Sequence, residues 1–237
     1  RDWLLLIGGS TYKFTLTGFY LVALVAILKN HGYSLNQLSW IHLIGGIEAA
    51  KVLFAALMER RPAGRFGRFR GWLLAATLGL SAVFGLMACT DITQNFPLLM
   101  DCCVLLSAMS AVYGCAMLGL SCIVLPHRER GFGGVIQTMA ARGGKMIGGA
   151  LVLWLYQEYG QTAAAGFMLA FTLLMLLQLL CYREPDSPTA QGGLTALAAR
   201  LVSFWQQPET GWRWLVLLFA VSAPYAFAAA TFVPKLA

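Results

Sequence analysis

At 237 residues, 59% of them hydrophobic and 11% charged, with a mean hydropathy of +0.69, the chain is too apolar for a soluble domain, in which about 25% of residues carry charge. The net charge of +7 does not point to nucleic acid, because most arginines fall in short loops between apolar runs, where they set membrane topology. The composition describes an all-α polytopic membrane protein.

A hydrocarbon core of about 30 Å needs roughly 20 apolar residues per helix, and seven runs meet that need: 3–28, 40–57, 72–88, 98–125, 134–156, 163–182 and 214–233. The connections are short except for 183–213, a polar stretch rich in Pro, Gly, Gln and Ser that reads as a linker between bundles. Within it "LTALAARLVSFW" (194–205) has apolar residues at helical spacing, as in a short helix lying on the membrane surface. The expected organisation is a six-helix bundle over 1–182, a cytoplasmic linker over 183–213, and the first helix of a further bundle over 214–237. The chain begins at Arg1 and ends as an apolar run finishes, so a fragment of a longer polypeptide is expected. The loop after the second run carries Arg60, Arg61, Arg65, Arg68 and Arg70, and the loop after the fourth carries Arg128 and Arg130, whereas the alternate loops are nearly free of cations. The positive-inside rule therefore places the arginine loops and the N-terminus in the cytoplasm.

Ions near the middle of a membrane helix cost about 2.5 to 3.5 kcal/mol each on insertion scales and are functional candidates by default. This chain has Lys13, Glu48, Lys51, Asp101, Arg142 and Lys145, with His42 nearby. Ser10, Lys13, Thr17 and Tyr20 recur at i, i+3, i+7 and i+10 and form one polar stripe on the first helix. A rise of about 1.5 Å per residue puts Arg142 and Lys145 on either side of the midplane of the fifth. Glu48 and Lys51 are i, i+3 neighbours, and one reading is an internal salt-bridge network of Glu48, Lys51 and Lys13. Four deep cations against one firm anion favour instead a water-filled cavity that admits an anionic solute.

The glycines of "AARGGKMIGG" (140–149) lack the Walker spacing, since Met139 and Met146 stand where Gly and Ser or Thr are required. Gly144 and Gly148 form instead a GxxxG pair that lets another helix approach closely. Ser107, Ser110, Gly114 and Ser121 make a comparable small-residue face on the fourth helix. The cysteines, Cys102 and Cys103 included, lack metal-site spacing and read as packing residues. Three scattered histidines, no HExxH and no GxSxG give no catalytic residue, no metal and no cofactor.

"FAALMERR" followed by "GRFGRFRGW" resembles the loop after the second helix in the major facilitator superfamily, with Ala55, Glu59 and Arg60 standing for its Gly, Asp and Arg, and Gly67 and Arg68 for its later Gly-Arg element. "AAKVLFAALMERR" together with "LPHRERGFGGVIQTMAARGGKMIGG" is similar to the siderophore permease branch of that superfamily and its muropeptide permease relatives. Lys51, Arg60, Glu129, Arg130, Gly131, Gly133 and Gln137 occupy comparable positions. The Asp-containing run of that branch's fourth helix has no acidic counterpart in "SAVYGCAMLGLSC". The resemblance implies a secondary carrier of the bacterial inner membrane, proton-coupled and importing an anionic siderophore or its ferric complex, and monomeric when complete. Lys13, Thr17, Tyr20, Arg142 and Lys145 are then expected at the solute, Glu48 as the proton-linked carboxylate, and Lys51, Glu59, Arg60, Arg128 and Arg130 as gating ion pairs. Alternatives are a permease for muropeptides or another anionic solute, an exporter of the same fold, and a non-transporting subunit whose charges grip a partner helix.

Overall fold

The computed structural model describes residues 2–33, 47, 51–60, 67–90, 96–126 and 128–185, with scattered positions between 202 and 223. The expectations for Glu48, His42, the side chains of Glu59, Arg60 and Arg130, and most of the linker and last helix lie outside the described residues. Contacts divide the chain into two units, Arg1–Thr189 and Ala190–Ala237.

The described residues of the first unit are mostly helical, with no strand among them. Helix α1 is Asp2–Asn30, α2 is Lys51–Arg60, α3 is Phe69–Cys89 and α4 is Phe96–Val124. Helix α5 runs as Arg130–Lys145, then a π segment Met146–Leu151, then Val152–Tyr159; α6 is Gln161–Cys181. Among the described residues four helices are long and apolar enough to cross a membrane: α1, α3, Pro97–Val124 of α4, and α6. Helix α5 is outside that set, and its first half carries Arg130, Arg142 and Lys145. In the second unit, described positions such as Trp212, Arg213, Val216, Leu217 and Phe219 are helical and exposed.

The tightest seam joins α1 to α5. A Cβ at Gly144 would sit 2.6 Å from the Thr11 carbonyl oxygen and 2.9 Å from the Thr15 nitrogen, one at Gly148 would run into the Thr15 carbonyl, and one at Gly18 would sit 2.9 Å from the Lys145 Cα. Lipid tails are as apolar as the side chains themselves, so membrane helices gain from close packing rather than from burial, and glycine permits backbone-to-backbone approach. Both helices turn π beside this seam, α1 over Phe19–Ala23 and α5 over Met146–Leu151, and the two π segments touch. The extra residue per turn re-phases each helix where it passes its neighbour.

Helices α3 and α6 lie side by side and are tied at both ends. At one end the Glu184 carboxylate accepts from the Phe69 and Arg70 backbone N–H groups, at 3.1 and 2.8 Å, which are orphan donors of the α3 N-terminus. Arg70 reciprocates, its Nε donating to the Leu179 carbonyl and its Nη2 to that of Leu180, each at 2.9 Å, at the α6 C-terminus. Each charge thus faces the helix pole of opposite sign. At the other end the Gln161 amide donates to the Met87 and Thr90 carbonyls at 3.1 and 2.8 Å. Gly160, at φ +82°, joins α5 to α6 through one residue in a backbone region open to glycine.

The core beneath α1 is aromatic. Tyr12 stands edge-on to Tyr113 of α4 and Phe171 of α6, with ring centroids 5.2 and 5.5 Å away. Its hydroxyl donates to Thr172 Oγ1 at 2.8 Å, which satisfies the phenol in an apolar setting.

Three stability outcomes follow. Gly148→Ala is expected to lower the thermal-unfolding midpoint of the detergent-solubilised protein, at a cost of about 1–3 kcal/mol for forcing the seam open. Gly143→Ala, whose Cβ would meet nothing within 4 Å, is expected to be neutral or stabilising by up to about 1 kcal/mol through helix propensity. Glu184→Ala leaves the first N–H groups of α3 uncapped and is expected to cost about 0.5–2 kcal/mol in the same measurement, with Glu184→Asp recovering part of the loss.

Candidate functional site

On the face of α1 turned away from the Tyr12 cluster, a cavity of about 350 Å³ opens between four helices. Helix α1 supplies Ser10, Lys13, Phe14 and Thr17, α2 supplies Lys51, α4 supplies Gly114 and Met117, and α5 supplies Gln137 and Lys145. The period of 3.6 residues explains the first set, because positions 10, 13, 14 and 17 fall on one side of a straight helix. Helix rise places Lys13 about 16 Å from the start of α1 and Lys145 about 22 Å from the start of α5, both deep in a membrane-spanning bundle.

Lys13 is only 9% exposed, and its long stem needs space that the bundle supplies at one point. A Cβ at Gly114 would lie 3.0 Å from the Lys13 Cε and 3.7 Å from the Lys51 Cε. Gly114 is therefore the notch over which two lysine side chains from different helices converge. The lysine-bearing helices are braced beside it: the Cys115 thiol donates to the Lys51 carbonyl at 3.1 Å, and the Thr17 hydroxyl donates to the Lys13 carbonyl at 3.2 Å. Lys145 enters from the opposite wall, positioned by the seam that sets its Cα beside Gly18.

Among the described residues the lining carries three ammonium groups and no carboxylate. Hydroxyl and amide groups from Ser10, Thr17 and Gln137 add neutral hydrogen-bonding capacity, while Phe14 and Met117 give the wall apolar area. Such a chamber can neutralise an anionic group, hydrogen-bond a polar one and shelter an apolar one. Among the described residues no cluster of His, Cys, Asp and Glu has a metal-holding arrangement.

The residues expected at the solute are thus distributed unevenly. Lys13, Thr17 and Lys145 share the cavity, together with Lys51, which was expected in a gating pair. Tyr20 is buried in the bundle core and does not line it; it falls inside the π segment that opens at Phe19, which breaks the straight-helix phase of the stripe. Arg142 and Lys145 are both exposed on α5, and of the two only Lys145 belongs to the lining. Arg142 shares the exposed face of that helix with Phe132, Val135, Met139 and Met146. Arg128 is exposed in the turn before α5. Gly144 and Gly148 face α1. Ser10, Phe14, Met117 and the notch at Gly114 complete the site. The small-residue face of α4 was the signal for that notch, although it read as a seam for another helix.

The model of the Major Facilitator Superfamily matches residues 5–236. The chain is 28% identical over 190 residues to the anhydromuropeptide permease of Escherichia coli strain K12, an alignment covering 79% of this chain and 38% of that protein. The same figures hold for the anhydromuropeptide permease of Escherichia coli O157:H7. The chain thus spans about two-fifths of the length of these curated relatives. With a helical membrane bundle, a lysine-bearing chamber between its helices and a family model matched along almost the whole sequence, the chain belongs to the major facilitator superfamily, a family of membrane transporters.

Proposed function

We propose that the chain forms the N-terminal bundle of a secondary active transporter for an anionic solute, held at the cavity of Lys13, Lys51 and Lys145. The observation that carries this reading is three lysines, from three helices, lining one chamber of a membrane protein. Cations inside a membrane bundle mark solute and ion sites, and an anionic group entering this chamber would meet all three. Thr17, Ser10 and Gln137 add hydrogen bonds to the solute, and Phe14 and Met117 contact its apolar part.

Two solute classes are in play. The named relatives favour a muropeptide, whose peptide carboxylates suit the lysines. The resemblance of "AAKVLFAALMERR" and "RERGFGG" to the siderophore permease branch would imply instead a carboxylate or phenolate siderophore. In either case Glu48 is assigned the proton-linked carboxylate, and Glu59, Arg60, Arg128 and Arg130 the ion pairs that latch the arginine-loop face. The arginine loops and the N-terminus are assigned to the cytoplasmic side of a bacterial inner membrane, and import is assigned as symport with protons, against export by antiport on the same gradient.

The test is uptake by the full polypeptide in proteoliposomes of radiolabelled anhydromuropeptide and, separately, of a carboxylate siderophore. One of the two is expected to accumulate when an inward proton gradient is imposed. Lys13→Gln and Lys145→Gln are each expected to raise KM at least about tenfold, the loss of one charge-assisted contact of about 1.4 kcal/mol or more, with Lys→Arg retaining most of the affinity. Unchanged uptake by a Lys13→Gln/Lys145→Gln double variant with a normal unfolding midpoint would overturn the assignment.

A further inference from the structure

Lys13 and Met117 cross the contact between α1 and α4 in opposite directions, and each meets a glycine on the other helix. A Cβ at Gly9 of α1 would sit 2.8 Å from the Met117 Sδ and Cε, and one at Gly114 of α4 would sit 3.0 Å from the Lys13 Cε and 3.6 Å from its Cγ. Gly9 stands four residues before Lys13 and Gly114 three before Met117, so each helix presents a notch and a knob on one face. The Lys13 stem therefore rests on the α4 backbone at a single residue. The Lys51 Cε approaches the same point, at 3.7 Å, so both lysines are seated over one missing side chain.

The backbones around this notch are held from their other sides. Helix α1 meets α5 where Gly144 and Gly148 come against Thr11 and Thr15, and Tyr12 is bonded to Thr172 of α6. Helix α2 is held at the Lys51 carbonyl, which accepts from the thiol of Cys115, the residue after Gly114. The soft parts are the lysine side chains, with their many rotatable bonds. A larger residue at position 114 therefore shifts the lysine ends before it shifts a helix. This concerns only the space the stems occupy, whichever groups their ammonium ends touch. We propose that Gly114 is a positioning residue for the solute site: the absence of a side chain there sets where Lys13 and Lys51 present their ammonium groups, and residue size at 114 tunes affinity. The inference rests on the reading of the chamber as an anion site and adds to it the element that fixes the cation geometry.

The experiment compares Gly114→Ala and Gly114→Val with the wild type in the full polypeptide. The first readout is proteoliposome uptake of anhydromuropeptide and of a carboxylate siderophore under an inward proton gradient. KM for the transported probe is expected to rise in the order Gly, Ala, Val, by at least about tenfold for Gly114→Val and with Vmax kept within about twofold, because a misplacement of about 1 Å at a site costs up to about a hundredfold. A residue needed only for helix packing would lower Vmax through loss of folded carrier and leave KM unchanged. The second readout is the thermal-unfolding midpoint in detergent, taken in a cycle with Lys13→Ala. Removing the stem empties the notch, and the side chain added by Gly114→Val then fills it. The midpoint change on Gly114→Val is expected to be more favourable by at least about 2 °C in the Lys13→Ala background than in the wild type. Gly114→Ala supplies both readouts if Gly114→Val does not fold.

Three results would overturn the inference. An unchanged KM in both variants, whether or not Vmax falls, makes Gly114 a packing position only. Equal midpoint changes in the two backgrounds mean that the Lys13 stem does not occupy the notch. A wild type that takes up neither probe removes the inference together with the reading it rests on. Wild-type uptake separates the cases: where it is present, the first two results count against Gly114 alone and leave the anion carrier standing.

Discussion

Everything else in the bundle depends on the distance between α1 and α5. Gly18 on one helix and Gly144 and Gly148 on the other remove the side chains that would hold the backbones apart. In a bilayer the reward for this is van der Waals contact, because apolar burial alone does not distinguish a neighbouring helix from lipid. The glycines weaken α5 as an isolated helix, since each costs about 0.5–1 kcal/mol relative to alanine, and the seam compensates by packing. Its functional product is positional: Lys145 enters the cavity because its Cα is pinned beside Gly18, opposite the stripe that carries Lys13 and Thr17.

Around that seam the helices divide into a scaffold and a working wall. Helices α3 and α6 are fastened at both ends by Glu184, Arg70 and Gln161, with side chains satisfying backbone groups that a helix end leaves open. Helix α1 faces both parts. Tyr12 and Leu16 turn into the core, where Tyr12 reaches Thr172 of α6, while Ser10, Lys13 and Thr17 turn to the cavity. A helix with a buried aromatic face and a polar face needs a rigid partner on the first side to hold the second side open.

Much of this was legible in the sequence. Apolar runs separated by arginine loops announce a membrane bundle, and the spacing of Ser10, Lys13 and Thr17 announces a polar stripe, because both signals depend on local period and composition. What was not legible depends on contacts between helices or on departures from ideal helix geometry. Tyr20 belongs to the stripe by straight-helix arithmetic, yet the π segment beginning at Phe19 changes its phase. Arg142 and Lys145 are equivalent in charge and nearly in depth, and the rotation between them leaves one outside the cavity and one within its wall. Gly114 reads as a packing position for a helix and is instead the notch that two lysines share. Glu184 lies just past the sixth apolar run, where nothing in the one-dimensional pattern marks it as the cap of a helix more than a hundred residues earlier.

The single-residue joint at Gly160 has a mechanical consequence. With no slack between α5 and α6, a tilt of α5 acts on the first turn of α6 as a lever acts on its fulcrum. That turn carries Gln161, whose amide grips the end of α3 at Met87 and Thr90. Helix α5 is therefore geared to the α3–α6 pair at one face of the bundle, while at the other face α3 and α6 are clamped by Glu184 and Arg70. The joint thus couples the position of the lysine-bearing wall directly to the α3–α6 pair, with no flexible loop between them.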